Sequence, residues 1–174
     1  MKHAFPIAAV LVLILGGCAS QGDGGAAGAP AVPRVAPEQR LLAVQAAAGD
    51  IEKELSVQPL RDPQVEDLRQ RSSAAIAARD YRSAADALNQ ALLIVAEDPG
   101  ILQERAEVAL LQSDFERAET LAQRAYASGA RVGPLCRRHW ATIEQSRLAR
   151  GRTDDAASAR AQIGACTVAG FERM

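Results

Sequence analysis

The sequence predicts an all-α fold, a short superhelical stack of antiparallel helical hairpins. Three observations lead there. Asp80-Tyr81-Arg82-Ser83-Ala84 and Asp114-Phe115-Glu116-Arg117-Ala118 repeat one pattern 34 residues apart, and Ala91 and Ala125 follow at the same distance in each. Asp62-Pro63 and Asp98-Pro99 each place an N-capping carboxylate before a residue suited to the first helical position, where proline's missing N–H costs nothing. No long run alternates apolar and polar residues, so strands have no support. A repeat of this length with a turn signal midway holds two helices.

The bulk composition agrees. The chain has 174 residues, room for one domain plus processing segments. Apolar residues make up 48%, many of them alanine, and aromatics only 3%, a balance that favours helix and close helix packing. The net charge of −1 implies no nucleic-acid partner.

Taken in order, residues 1–17 read as a signal peptide. Lys2 and His3 make a short basic start, and Phe5 to Leu15 is an apolar run of 11 residues, too short to span a bilayer. Leu15-Gly16-Gly17-Cys18 resembles a bacterial lipobox, which implies cleavage before Cys18 and acylation of that residue. Several acyl chains give stable anchoring where one does not. Ala19, in place of Asp after the Cys, resembles the outer-membrane sorting pattern. Ordinary signal cleavage a residue or two later would instead leave Cys18 unmodified. Residues 18–37 are rich in Gly, Ala and Pro and form a linker with an end-to-end distance of about 25 Å.

Residues 38–62 begin the folded part. Leu41, Leu42, Val44, Gln45 and Ala48 give a partial helical stripe over Glu38 to Leu55, which Gly49-Asp50 can divide, and the region is expected to cap the first repeat. Asp62 then opens a helix to about Ala78. Asp80 caps one from Tyr81 to about Glu97. The next pair spans about Gly100 to Gln112 and Phe115 to Ser128, with Gly129 as its C-cap. Gly133-Pro134 opens a weaker third unit with a helix to about Arg150. Gly151 turns the chain, and Thr153 is expected to cap the last helix. Ala156 follows Ala118 by 38 residues, which suggests a few residues inserted in the preceding loop. Residues 167–174 form a tail.

Residues 63–166 resemble about three tetratricopeptide repeats. Leu68, Leu102 and Trp140 stand at the large position of the first helix, and Ser72 and Ala106 at its small position, where Glu144 departs from the pattern. Tyr81 and Phe115 are the aromatics opening the second helix, where Thr153 departs. The alanine pairs are Ala84 with Ala91 and Ala118 with Ala125; Ala156 is followed by Ile163. The resemblance implies a groove lined by the first helices. Its expected partner-binding residues are Glu66, Arg69 and Ser73, then Gln103 and Glu107, then Arg138 and Gln145. Such a groove suits an extended peptide or partner helix; the same residues could equally be core and solvated face.

Charge is uneven along the repeats. Glu97 to Glu119 holds seven acids against Arg105 and Arg117, while Arg131 to Arg152 holds six Arg against Glu144 alone. The basic end is a candidate for acidic protein surfaces or anionic headgroups, or is a solvated helical face. Cys136 and Cys166 remain as an even pair in an oxidising compartment, near adjacent ends of one hairpin; they either form a disulfide or stay as two buried thiols. No catalytic residues emerge. His139 is the one histidine beyond the signal, no nucleophile motif accompanies it, and no metal-ligand set or phosphate loop occurs, so no enzyme activity, cofactor or small-molecule substrate is expected.

These readings converge on a lipid-anchored outer-membrane protein facing the periplasm. It would hold a protein partner during envelope or secretion-complex assembly. The alternative is a regulator of a peptidoglycan synthase or hydrolase.

Overall fold

The computed structural model describes residues 35–49 and 62–167. The expected signal segment, Cys18, most of the linker, residues 50–61 and the tail beyond residue 167 lie outside the described residues.

The fold is all-α, as the spacing predicts. Seven helices occur among the described residues: α1 (Pro37–Ala47), α2 (Pro63–Ala77), α3 (Tyr81–Ile94), α4 (Pro99–Leu111), α5 (Phe115–Ser128), α6 (Pro134–Ala149) and α7 (Thr153–Ala165). Helices α2 with α3, α4 with α5, and α6 with α7 form three hairpins stacked in chain order. The N-caps act locally. Asp62, Asp80, Asp98 and Asp114 each accept a backbone N–H from the first turn, at 2.8, 3.0, 2.9 and 3.2 Å.

All three hairpins turn the same way. The amides of Arg79 and Asp80 donate to the carbonyls of Ile76 and Ala75, and those of Ser113 and Asp114 to Leu110 and Ala109. Gly151 and Arg152 repeat the pattern onto Leu148 and Arg147. The turning residue is left-handed each time, with φ of 59° at Arg79, 60° at Ser113 and 72° at Gly151. The third turn takes this conformation with glycine, where a side chain would cost about 1 kcal/mol. Most of the additional residues of the third unit therefore lie within its first helix, since α6 has 16 residues and α4 has 13, and one more lies in the loop before α6. Thr153 does not cap α7. Arg152 occupies that position without a side-chain cap, and Thr153 is the first helical residue. Helix α3 stops at Ile94, before the expected Glu97, where Val95 leaves the helical region. Gly129 ends α5 in an extended conformation. A side chain there would meet the Ala125 carbonyl oxygen at 2.9 Å, so close approach requires the glycine.

Small residues sit where helices cross. Ala84, Ala91, Ala106, Ala118, Ala122 and Ala125 are completely buried, and Leu88, Ile101, Leu102, Leu110 and Ile143 fill the space between hairpins. Glu144 interrupts this scheme with a buried carboxylate. Arg160 of α7 reaches it at 2.7 Å while its own side chain stays 72% exposed. Truncating Arg160 to alanine strands a buried anion and is expected to cost about 1–2 kcal/mol. Glu144→Ala releases only a solvated guanidinium and restores a small residue, so it is expected to cost less. Urea melts of both variants check the order; a larger loss for Glu144→Ala would contradict it.

Helix α1 does not cover the first hairpin. It packs along α6 and, less extensively, α4. Val44 is fully buried in a cluster with Ala109, Leu110, Ala118 and Ala141. Arg40 donates to the Gln145 carbonyl at 3.3 Å and lies 5.6 Å over the Phe115 ring. At the other end, Arg137 donates to the Ala47 carbonyl at 3.2 Å and also holds the Ala48 carbonyl. That guanidinium satisfies carbonyls that a helix C-terminus leaves without intrahelical partners.

Candidate functional site

The seven residues expected in a groove separate into three places. Glu66, Arg69 and Ser73 line an open trough between α2 and α4, together with Gln70, Ile76 and Glu104, enclosing about 360 Å³. Arg69 bridges it. Its Nη1 donates to Glu66 at 2.8 Å, and its Nε reaches Glu104 at 3.0 Å. The Glu104 hydrogen bonds raise the Arg69 pKa against the opposing effect of burial, so this cation is permanent.

Glu107 borders the trough but faces the seam between α4 and α6. Arg138 grips it from α6, with Nη2 at 2.6 and 2.8 Å from its two oxygens. Burial pushes the Glu107 carboxyl up, and Arg138 and Gln103 pull against it. Gln103 lies fully buried in that seam, not in an open groove. Its Nε2 donates to Glu107 and to Thr142 Oγ1, both at 2.8 Å, and its Oε1 meets His139 Nδ1 at 2.7 Å. The contact makes Nδ1 the protonated nitrogen of a neutral imidazole, since an amide oxygen only accepts. Burial, then the Arg138 charge, lowers the His139 pKa to about 3. Gln145 sits beneath α1 and receives Arg40. Sequence spacing assigns a helix face but not how closely the next helix approaches. Here α4 and α6 touch, while α2 stands further from α4.

The basic end is not a free basic face. Arg147, Arg150 and Arg152 converge on Glu119, a nearly buried carboxylate of α5, at 2.7, 2.9 and 3.3 Å. Arg138 is committed to Glu107 and Arg137 to α1, while Arg131 lies 4.1 Å over the Tyr126 ring. Glu107 and Glu119 of the acidic block thus pair with four arginines of the basic block, and these ion pairs lock the second hairpin to the third. Spacing alone carries no sign of this, because the partners are about 30 residues apart.

Cys136 opens α6 and Cys166 closes α7, and the two are joined by a disulfide with Cα atoms 5.7 Å apart. Both are buried. Among the described residues, no three His, Cys, Asp or Glu side chains gather closely enough to hold a metal ion.

No family model matches the chain, and no curated protein sequence matches it. Among solved structures, the fold is similar to the globular C-terminal domain of LpoP from P. aeruginosa. The TM-score is 0.58 and the identity 28%, over 60% of this chain and 99% of that domain. The helical hairpins described above therefore share the architecture of a whole bacterial globular domain.

Proposed function

We propose that this protein is a lipid-anchored periplasmic regulator of a peptidoglycan synthase or hydrolase, acting by contact through its helical hairpins. The likeness to the LpoP domain carries this reading and favours it over a general scaffold for secretion or envelope assembly. Two features support it. The segment ending Leu15-Gly16-Gly17-Cys18, followed by a short tether, would hold the hairpins close to a membrane facing the cell wall. No described helix is long and apolar enough to cross a membrane itself.

Purified soluble protein, with Cys18 replaced by serine, is titrated into the peptidoglycan synthases and hydrolases of the same cell. One of them is expected to bind and change its rate of glycan polymerisation, peptide crosslinking or cleavage. If none binds and none changes rate, the regulatory reading is lost. The anchor is tested separately: Cys18→Ser is expected to move the protein from the membrane pellet to the soluble periplasmic fraction. A variant that still pellets with membranes would remove the lipid from the account.

A further inference from the structure

The trough between α2 and α4 differs from the rest of the face formed by the first helices. Over α4 and α6 that face is closed, since α1 lies along both helices and buries Val44 there. Among the described residues it is open over α2, because α2 and α4 stand apart and Arg69 spans the gap. The open part is acidic. Glu66, Glu104 and Glu107 line it against Arg69 alone, with Arg138 reaching Glu107 from the seam behind. Ser72 adds an independent sign. It is 2% exposed and lines the trough, and its hydroxyl has no hydrogen-bond partner. A buried hydroxyl without a partner costs about 1–3 kcal/mol, which an arriving polar group would recover. Ile76 gives the same surface an apolar spot.

Building on the reading that this protein works by binding a protein, we infer that the α2–α4 trough takes a cationic peptide segment of the partner. An Arg or Lys side chain of that segment lies between Glu66 and Glu104, and an apolar side chain rests on Ile76. The carboxylates supply charge complementarity and steering. The pre-formed pair of Arg69 with Glu104 keeps two of the walls in place before the segment arrives. Helix α1 sets the boundary of the site, so the segment runs along α2 and does not extend over α6.

The test uses a phage library of random peptides of about twelve residues, panned on the soluble full chain carrying Cys18→Ser. Enriched peptides are expected to carry Arg or Lys next to an apolar residue and to weaken at high salt. Ser73→Arg places a cation in the trough at an exposed position and is expected to weaken a selected peptide about tenfold or more. Glu66→Gln is expected to weaken it less. Gln90→Arg, on the exposed face of α3, is expected to change nothing. Enrichment of neutral or acidic peptides, no enrichment, or undiminished binding to a folded Ser73→Arg protein would each overturn the assignment. Applied to an envelope enzyme, the variants separate the two proposals. If Ser73→Arg and Glu66→Gln leave a confirmed enzyme interaction untouched, the trough fails and the regulatory reading stands. If basic peptides bind but no synthase or hydrolase does, the reverse holds.

Discussion

Replacing Cys136 and Cys166 together with serine is expected to lower the unfolding free energy by about 3–4 kcal/mol. The bridge closes a loop of 30 residues, and restricting that loop in the unfolded chain accounts for a loss of this size. The location amplifies it. Helix α7 packs chiefly on α6 and has no further hairpin beyond it among the described residues. The third hairpin also lacks devices that the first two possess, since Arg152 caps α7 without a side-chain hydrogen bond and Gly133 does the same for α6. Loss should spread to α1 as well, because Arg137, next to Cys136, holds the α1 carbonyls. Urea melts measure the total, and hydrogen exchange should show α7 and α1 opening first. A change below about 1 kcal/mol would show that the hairpin is held by packing and the Glu119 cluster alone.

Stability is expected to fall by about 2 kcal/mol between about pH 7 and pH 5, with His139 as the main cause. In the folded state its pKa is depressed to about 3, whereas an unfolded histidine titrates near 6.5. Below about pH 6.5 the unfolded chain therefore binds a proton that the folded chain refuses, and stability drops as pH falls towards 3. Glu107 acts in the opposite sense, since burial raises its pKa and protonation relieves that cost. The carboxyls of Glu38, Asp80 and Glu97 are held below the ordinary range by hydrogen bonds, so their contribution is lost only at more acidic pH. His139→Gln keeps an N–H donor for Gln103 and cannot take up the proton. It is expected to flatten the curve between about pH 7 and pH 5. An unchanged slope in that variant would move the effect to another group.

Much of the secondary structure is legible locally. An aspartate before a helix accepts an amide within three residues, so the capped starts at Asp62, Asp80, Asp98 and Asp114 follow from adjacent residues. The crossings are legible too. Alanines at intervals of seven recur on one helix face, and Ala84, Ala91, Ala118 and Ala125 are all completely buried. Thr153 misleads because its hydroxyl suits a cap, while the turn geometry set by Gly151 places the helix start one residue earlier in the frame.

Other features depend on which hairpin faces reach each other, and no local pattern encodes that. Helix α1 carries only a weak apolar stripe, and its place along α6 depends on Ala141 leaving room for Val44 and on Arg137 meeting the Ala48 carbonyl. Gln103 has a groove-facing register but is buried because α6 closes over it. The acidic and basic blocks suggest two separate surfaces along the chain, yet Glu107 and Glu119 meet four arginines of the basic block across one seam. Coulomb attraction between groups about 30 residues apart acts once the hairpins have stacked. Periodicity and capping are properties of neighbours along the chain, so residue order sets the helices and their pairing. The open α2–α4 trough and the closed α4–α6 seam come from the unequal spacing of stacked hairpins, which packing of side chains from distant parts of the chain determines.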